Sequence, residues 1–143
     1  MKFSHALILA SSLAFFACGG DDESSTGPDN GTAECSVTEG VKVVSPKGGE
    51  TFTVGETIKV VFGSDMDFGG FGVELRYNEG AKKVNLLDET IEDAKIDGKT
   101  CNEYDVKLDA DRGVVATDDA FIYVYPYSKQ AKAGKSKNFK VKE

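Results

Sequence analysis

The stretch Phe71-Gly72-Val73-Glu74-Leu75-Arg76-Tyr77 decides the class of fold. Apolar residues recur at every second position, with Phe71, Val73, Leu75 and Tyr77 on one side and Glu74 and Arg76 on the other. A period of two marks a strand that buries one face and wets the other. Asn78-Glu79-Gly80 then reads as a hairpin-like turn, with a further strand over Lys83 to Leu87. Working outward, Thr57 to Phe62 alternates with Ile58, Val60 and Phe62 on one face. Val41 to Ser45, Glu50 to Val54, Glu103 to Leu108 and Asn138 to Lys142 read as strands of the same kind, and Ala120 to Tyr127 gives the strongest strand signal. Pro46-Lys47-Gly48-Gly49 and Gly69-Gly70 break the chain between them, and Asp88 to Lys95 reads equally as a helical turn or an acidic loop. Seven to eight short strands without a convincing helix predict an all-β fold, an antiparallel β-sandwich.

Composition narrows the function. The chain has 143 residues, 40% of them hydrophobic and 29% charged, which suits one globular domain with a leader and a tail. A net charge of -7 argues against a nucleic-acid partner, because phosphate backbones select Lys and Arg. The one histidine, His5, lies in a segment expected to be removed. Without it, His-based acid–base catalysis, Ser/His/Asp and Cys/His nucleophiles and His-ligated zinc or iron are excluded. No metal and no cofactor are expected.

The N-terminus has the proportions of an export signal. Lys2 supplies a positive start, and Ala6 to Ala17 is an apolar run too short to span a bilayer. Phe15-Phe16-Ala17-Cys18 resembles the lipobox of bacterial lipoproteins, with Phe16 where a small residue is usual. The resemblance implies a signal peptide over residues 1–17, cleavage before Cys18 and lipid on the Cys18 sulfur, hence a membrane anchor. Residues 18–40 hold Asp21, Asp22, Glu23, Asp29, Glu34 and Glu39 and no Lys or Arg, so a disordered acidic tether is expected. Gly19-Gly20-Asp21-Asp22-Glu23 resembles an acidic tag that exports lipoproteins to the outer membrane surface. Cys35 and Cys101 remain as an even pair in an oxidising compartment, for which a disulfide is favoured over two free thiols or a metal pair short of further ligands.

The segment Ser45-Pro46-Lys47-Gly48-Gly49-Glu50-Thr51-Phe52, continued by Val54-Gly55 and the strand ending in Phe62, resembles the opening of a known domain. That domain is the immunoglobulin-like module at the N-terminus of yeast cell-wall glucan-synthesis and Ser/Thr-rich GPI-anchored proteins. Asp119-Ala120-Phe121-Ile122-Tyr123-Val124 and Ser136-Lys137-Asn138-Phe139-Lys140-Val141 resemble its later strands. Lys47, Phe52, Phe62 and Ala120 depart from the family's Asn, two Trp and Tyr. The resemblance implies an immunoglobulin-like sandwich over residues 41–143, without catalytic residues, serving as an extracellular interaction or spacer module.

The same match turns Ala120, Ile122 and Val124 toward the core and Phe121, Tyr123, Tyr125 and Tyr127 to the opposite face. Aromatic rings on a nominally wet face can stack on sugars or anchor a partner, or simply brace the sheet across strands. Asp65-Met66-Asp67, Asp109-Ala110-Asp111 and Asp118-Asp119 offer hard oxygen ligands but lack an EF-hand pattern, so solvated loops are favoured over calcium. Lys129, Lys132, Lys135, Lys137, Lys140 and Lys142 make the C-terminus basic, which suits either an anionic envelope polymer or, more simply, protection of a terminal strand edge. The expected function is a non-catalytic, surface-displayed lipoprotein of the outer membrane that binds a polysaccharide or an envelope protein. A structural subunit of an envelope assembly is the alternative, and a small polysaccharide hydrolase a weaker one, because no deep cleft is evident.

Overall fold

The computed structural model describes residues 33–66 and 69–143. The signal segment, Cys18, most of the acidic tether and Asp67 lie outside the described residues. The described residues form nine strands, β1 (Val41–Ser45), β2 (Thr51–Thr53), β3 (Thr57–Ser64), β4 (Phe71–Tyr77), β5 (Lys82–Asn85), β6 (Asn102–Lys107), β7 (Thr117–Pro126), β8 (Gly134–Lys135) and β9 (Phe139–Lys142). They make an all-β sandwich of two sheets, one ordered β1-β3-β6 and the other β2-β9-β7-β4-β5, with β8 added beside β7. Three-residue 3-10 turns at Ala33–Cys35, Ala110–Arg112 and Gln130–Lys132 are the helical pieces among the described residues.

The alternating positions form the core. Val60, Val73, Leu75, Leu108, Ile122 and Val124 are wholly buried, with Phe62, Phe71 and Phe139 beside them. Phe62 packs on Phe71 with centroids 5.3 Å apart, and Phe52 meets Phe139 edge-on at 5.2 Å. Phe62 is wholly buried, and Phe52 packs half-buried against the core. The Asp88–Lys95 stretch is loop rather than helix, held to the sheet by paired amides of Ile91 and Phe71 at 2.9 Å.

One pairing departs from the expected antiparallel pattern: β2 runs parallel to β9. The turn before it sets this course. The Glu50 carboxylate accepts the Lys47 amide at 2.8 Å and the Gly48 amide at 2.7 Å, closing the Pro46–Gly49 loop on itself. Gly49 donates to the Asn138 carbonyl and Lys140 to the Glu50 carbonyl, which lays the strand alongside β9. Gly48 has φ 106°, and a Cβ there would meet the Lys137 Cβ at 2.6 Å, so the motif needs glycine at that point.

Cys35 and Cys101 are joined in a disulfide with Cα atoms 5.3 Å apart. Cys35 is wholly buried. The Val37 amide bonds the Gly98 carbonyl, and the Asp65 carboxylate accepts the amides of Glu39 and Gly40. The packed unit thus reaches upstream of Val41, into the stretch read from composition as tether. Its apolar and half-cystine content is too sparse for periodicity to mark it; cross-chain bonds hold it instead.

Candidate functional site

The outer face of the larger sheet is built by β4 and β7. Arg76 lies opposite Phe121, Glu74 opposite Tyr123 and Gly72 opposite Tyr125 in register. Because directly paired residues share a face, Phe121, Tyr123 and Tyr125 stand together on the side away from the core, as the alternation in sequence implies. Ala120, Ile122 and Val124 on the other side are wholly buried.

The ring row is only partly open. Phe121 and Tyr125 are 8% and 7% exposed, whereas Tyr127, at the end of the row, is 42% exposed. Neighbours from other strands supply the cover. The Arg76 guanidinium carbon lies 3.4 Å from the Tyr123 ring centre, and the Lys135 ammonium lies 5.2 Å from that of Phe121. Cations placed over ring faces are attracted by the ring quadrupole. Tyr125 lies over Gly72, where a Cβ would approach its ring and hydroxyl to 2.5 Å. Tyr125 in turn packs on Tyr123 at 5.8 Å and meets Tyr127 edge-on at 5.2 Å.

Arg76 and Glu74 complete the site, and the sequence assigned them only to the outward face. Their side chains are 17% and 15% exposed, and Arg76 Nη2 lies 2.7 Å from Glu74 Oε2. Arg76 Nε donates to the same oxygen at 2.8 Å. The pair is fixed by charge-assisted bonds and by the Tyr123 ring beneath it. Its proximity to the row was legible in principle, since two residues spaced by two on a strand share a face, but the partner strand was not named by the sequence. Burial, and then a hydrogen bond with Tyr127, push the Tyr125 phenol up to about 12, so it stays protonated and able to donate.

Asp109 and Asp119, one from each of two acidic pairs, are engaged by nearby donors. Asp109 accepts the Asp111 amide at 2.9 Å and caps the 3-10 turn that follows. Asp119 accepts Thr117 Oγ1 at 2.8 Å and the amides of Asn78 and Glu79 at 3.3 Å. Asn78 and Glu79 have φ of 54° and 56°, so Asp119 fastens a turn that ordinary side chains resist. Among the described residues no group of three or more His, Cys, Asp or Glu is placed to hold a metal ion. No family model, no curated protein and no solved structure matches this chain.

Proposed function

We propose that the chain is a lipid-anchored, non-catalytic binding module that holds a surface polysaccharide on the outer face of its larger sheet. Tyr127 carries this reading. The residue is 42% exposed yet its ring is braced edge-on by Tyr125 at 5.2 Å, so an aromatic surface is offered at little ordering cost. The Glu74–Arg76 pair beside the row supplies fixed polar groups for hydroxyls. A large protein partner is less well served: the exposed large hydrophobic side chains among the described residues are Ile96, Val115 and Tyr127, from three separate segments. The lipobox-like Phe15-Phe16-Ala17-Cys18 supports display on a membrane through lipid on Cys18.

Glycan-array binding by the full chain tests the site. Tyr127→Ala should weaken binding about tenfold, the effect of losing one ring stack worth roughly 1.4 kcal/mol. Undiminished binding would remove Tyr127 from the site.

A structural subunit is the second reading, favoured by the cover over Phe121 and Tyr125. Rings so enclosed brace a sheet rather than meet a ligand. Crosslinking in intact cells separates the two: one dominant protein neighbour, with no glycan bound, points to assembly.

A further inference from the structure

A groove of about 470 Å³ runs between β1 with its following turn and the segment from β8 to β9. Val43, Val44 and Pro46 give it an apolar floor. Lys42, Lys47, Lys135 and Lys137 stand around that floor, with Glu34 on the wall. All four lysines are exposed. None of the described ion pairs engages any of them. On a chain of net charge -7, four cations facing one concavity against one carboxylate is a local reversal of sign.

The walls are held in place. A Cβ at Gly134 would lie 2.3 Å from the Val41 carbonyl oxygen, so β8 approaches β1 as closely as backbone allows. At the other end a Cβ on Gly48 would lie 2.6 Å from the Lys137 Cβ. Glycine at both points lets the two walls close, and the groove keeps its width before any ligand arrives.

We propose that this groove binds an anionic polysaccharide, one bearing carboxylate or sulfate groups along its chain. The inference rests on the reading of the domain as a polysaccharide binder and adds the charge of the ligand. Three observations favour a sugar polymer. Lysine ammoniums are point charges suited to spaced anions, and the groove has no arginine to fork onto a phosphate. The pairing of β1 with β3 shifts register between Val43 and Ser45, and Pro46 follows, so an acidic peptide cannot add as a regular strand along this edge. The apolar floor suits the CH face of a sugar ring between the charges. Lys135 also stands over Phe121 at 5.2 Å, which joins the groove to the tyrosine row. A polymer can therefore be read for charge in the groove and for ring faces along β7.

The test uses the full chain with polygalacturonate as the anionic probe and dextran and laminarin as neutral ones, at low and raised salt. Wild type should bind polygalacturonate in a salt-sensitive way. The variant Lys42→Gln/Lys47→Gln/Lys135→Gln/Lys137→Gln should lose about tenfold or more in affinity, while Lys82→Gln/Lys83→Gln/Lys107→Gln keeps it. In the wild-type protein, amide resonances of Val43, Val44 and Lys135 should shift on titration, a readout that needs no variant. Unchanged binding by the groove variant, equal loss in both variants, or absent shifts overturns the groove and leaves the tyrosine-row reading standing. No binding of any polysaccharide, charged or neutral, overturns both. Groove-dependent preference for anionic vesicles or DNA over polygalacturonate overturns the choice of ligand.

Discussion

Asp65, Asp97 and Asp119 turn their carboxylates onto nearby amides and hydroxyls, and this makes them sensors of acid. Asp97 accepts Thr100 Oγ1 at 2.5 Å and the amides of Thr100 and Lys99 at 2.8 and 2.9 Å, which holds it down to about 2. Asp65 and Asp119 are lowered too, Asp65 chiefly by the Glu39 amide and Asp119 chiefly by the Thr117 hydroxyl. Each folded-state value lies below the ordinary 3.8, so each group favours the fold when ionised. That contribution is full above about pH 4 and is lost as pH falls toward 2. Urea midpoints should therefore drop between about pH 5 and pH 2, and Asp97→Asn should make the slope shallower. An unchanged slope would show that the Asp97 turn unfolds without consequence. Which amides each aspartate takes is not legible in the sequence, since Asp119 reaches a turn some forty residues away.

At the scale of elements, alternation identified most of the strands because each buries one face. Ile58, Val60 and Phe62 on β3, and Phe71, Val73 and Leu75 on β4, are all buried. Two-residue β8 is too short to show a period; β2 falls within the strand read over Glu50 to Val54, and its parallel course comes from bonds made by Glu50 and Asn138. The tyrosine row was legible as a face and not as a surface. Its cover comes from the side chains of Arg76 on β4 and Lys135 on β8 and from the bare backbone of Gly72, which Tyr125 lies against, residues that only pairing brings near. The lysine groove was legible only by half, since Lys42 and Lys47 lie some ninety residues before Lys135 and Lys137. The disulfide also joins elements distant in sequence. It spans 66 residues, tying the lead segment to the start of β6. The joint variant Cys35→Ser/Cys101→Ser should lose about 4 kcal/mol of unfolding free energy in urea, from the chain entropy restored to the unfolded state. A loss below about 1 kcal/mol would mean the lead segment is held by the Val37 and Asp65 bonds alone.

For the whole molecule, the separation of charge and the cysteines bear on one question, where the domain is held. Acid crowds the sequence before the domain and lysines gather at its C-terminal end, and the two meet where Lys132 pairs with Glu39 at 2.9 Å and Glu34 lines the lysine groove. Cys18 is the proposed point of attachment. The chain has three cysteines, and Cys35 and Cys101 are bonded to each other, which leaves Cys18 as the one thiol open to acylation. Palmitate labelling in a bacterial expression host therefore reports on a single residue. Wild type should take up label and sediment with membranes, because two or more acyl chains at about 0.8 kcal/mol per buried CH₂ anchor stably. Cys18→Ser should lose the label and appear in the soluble envelope fraction, with its sandwich and its lysine groove intact. Equal labelling of the two would place any lipid elsewhere and sink the anchor. Loss of label without release from the membrane would instead assign retention to the uncleaved apolar run of Ala6 to Ala17.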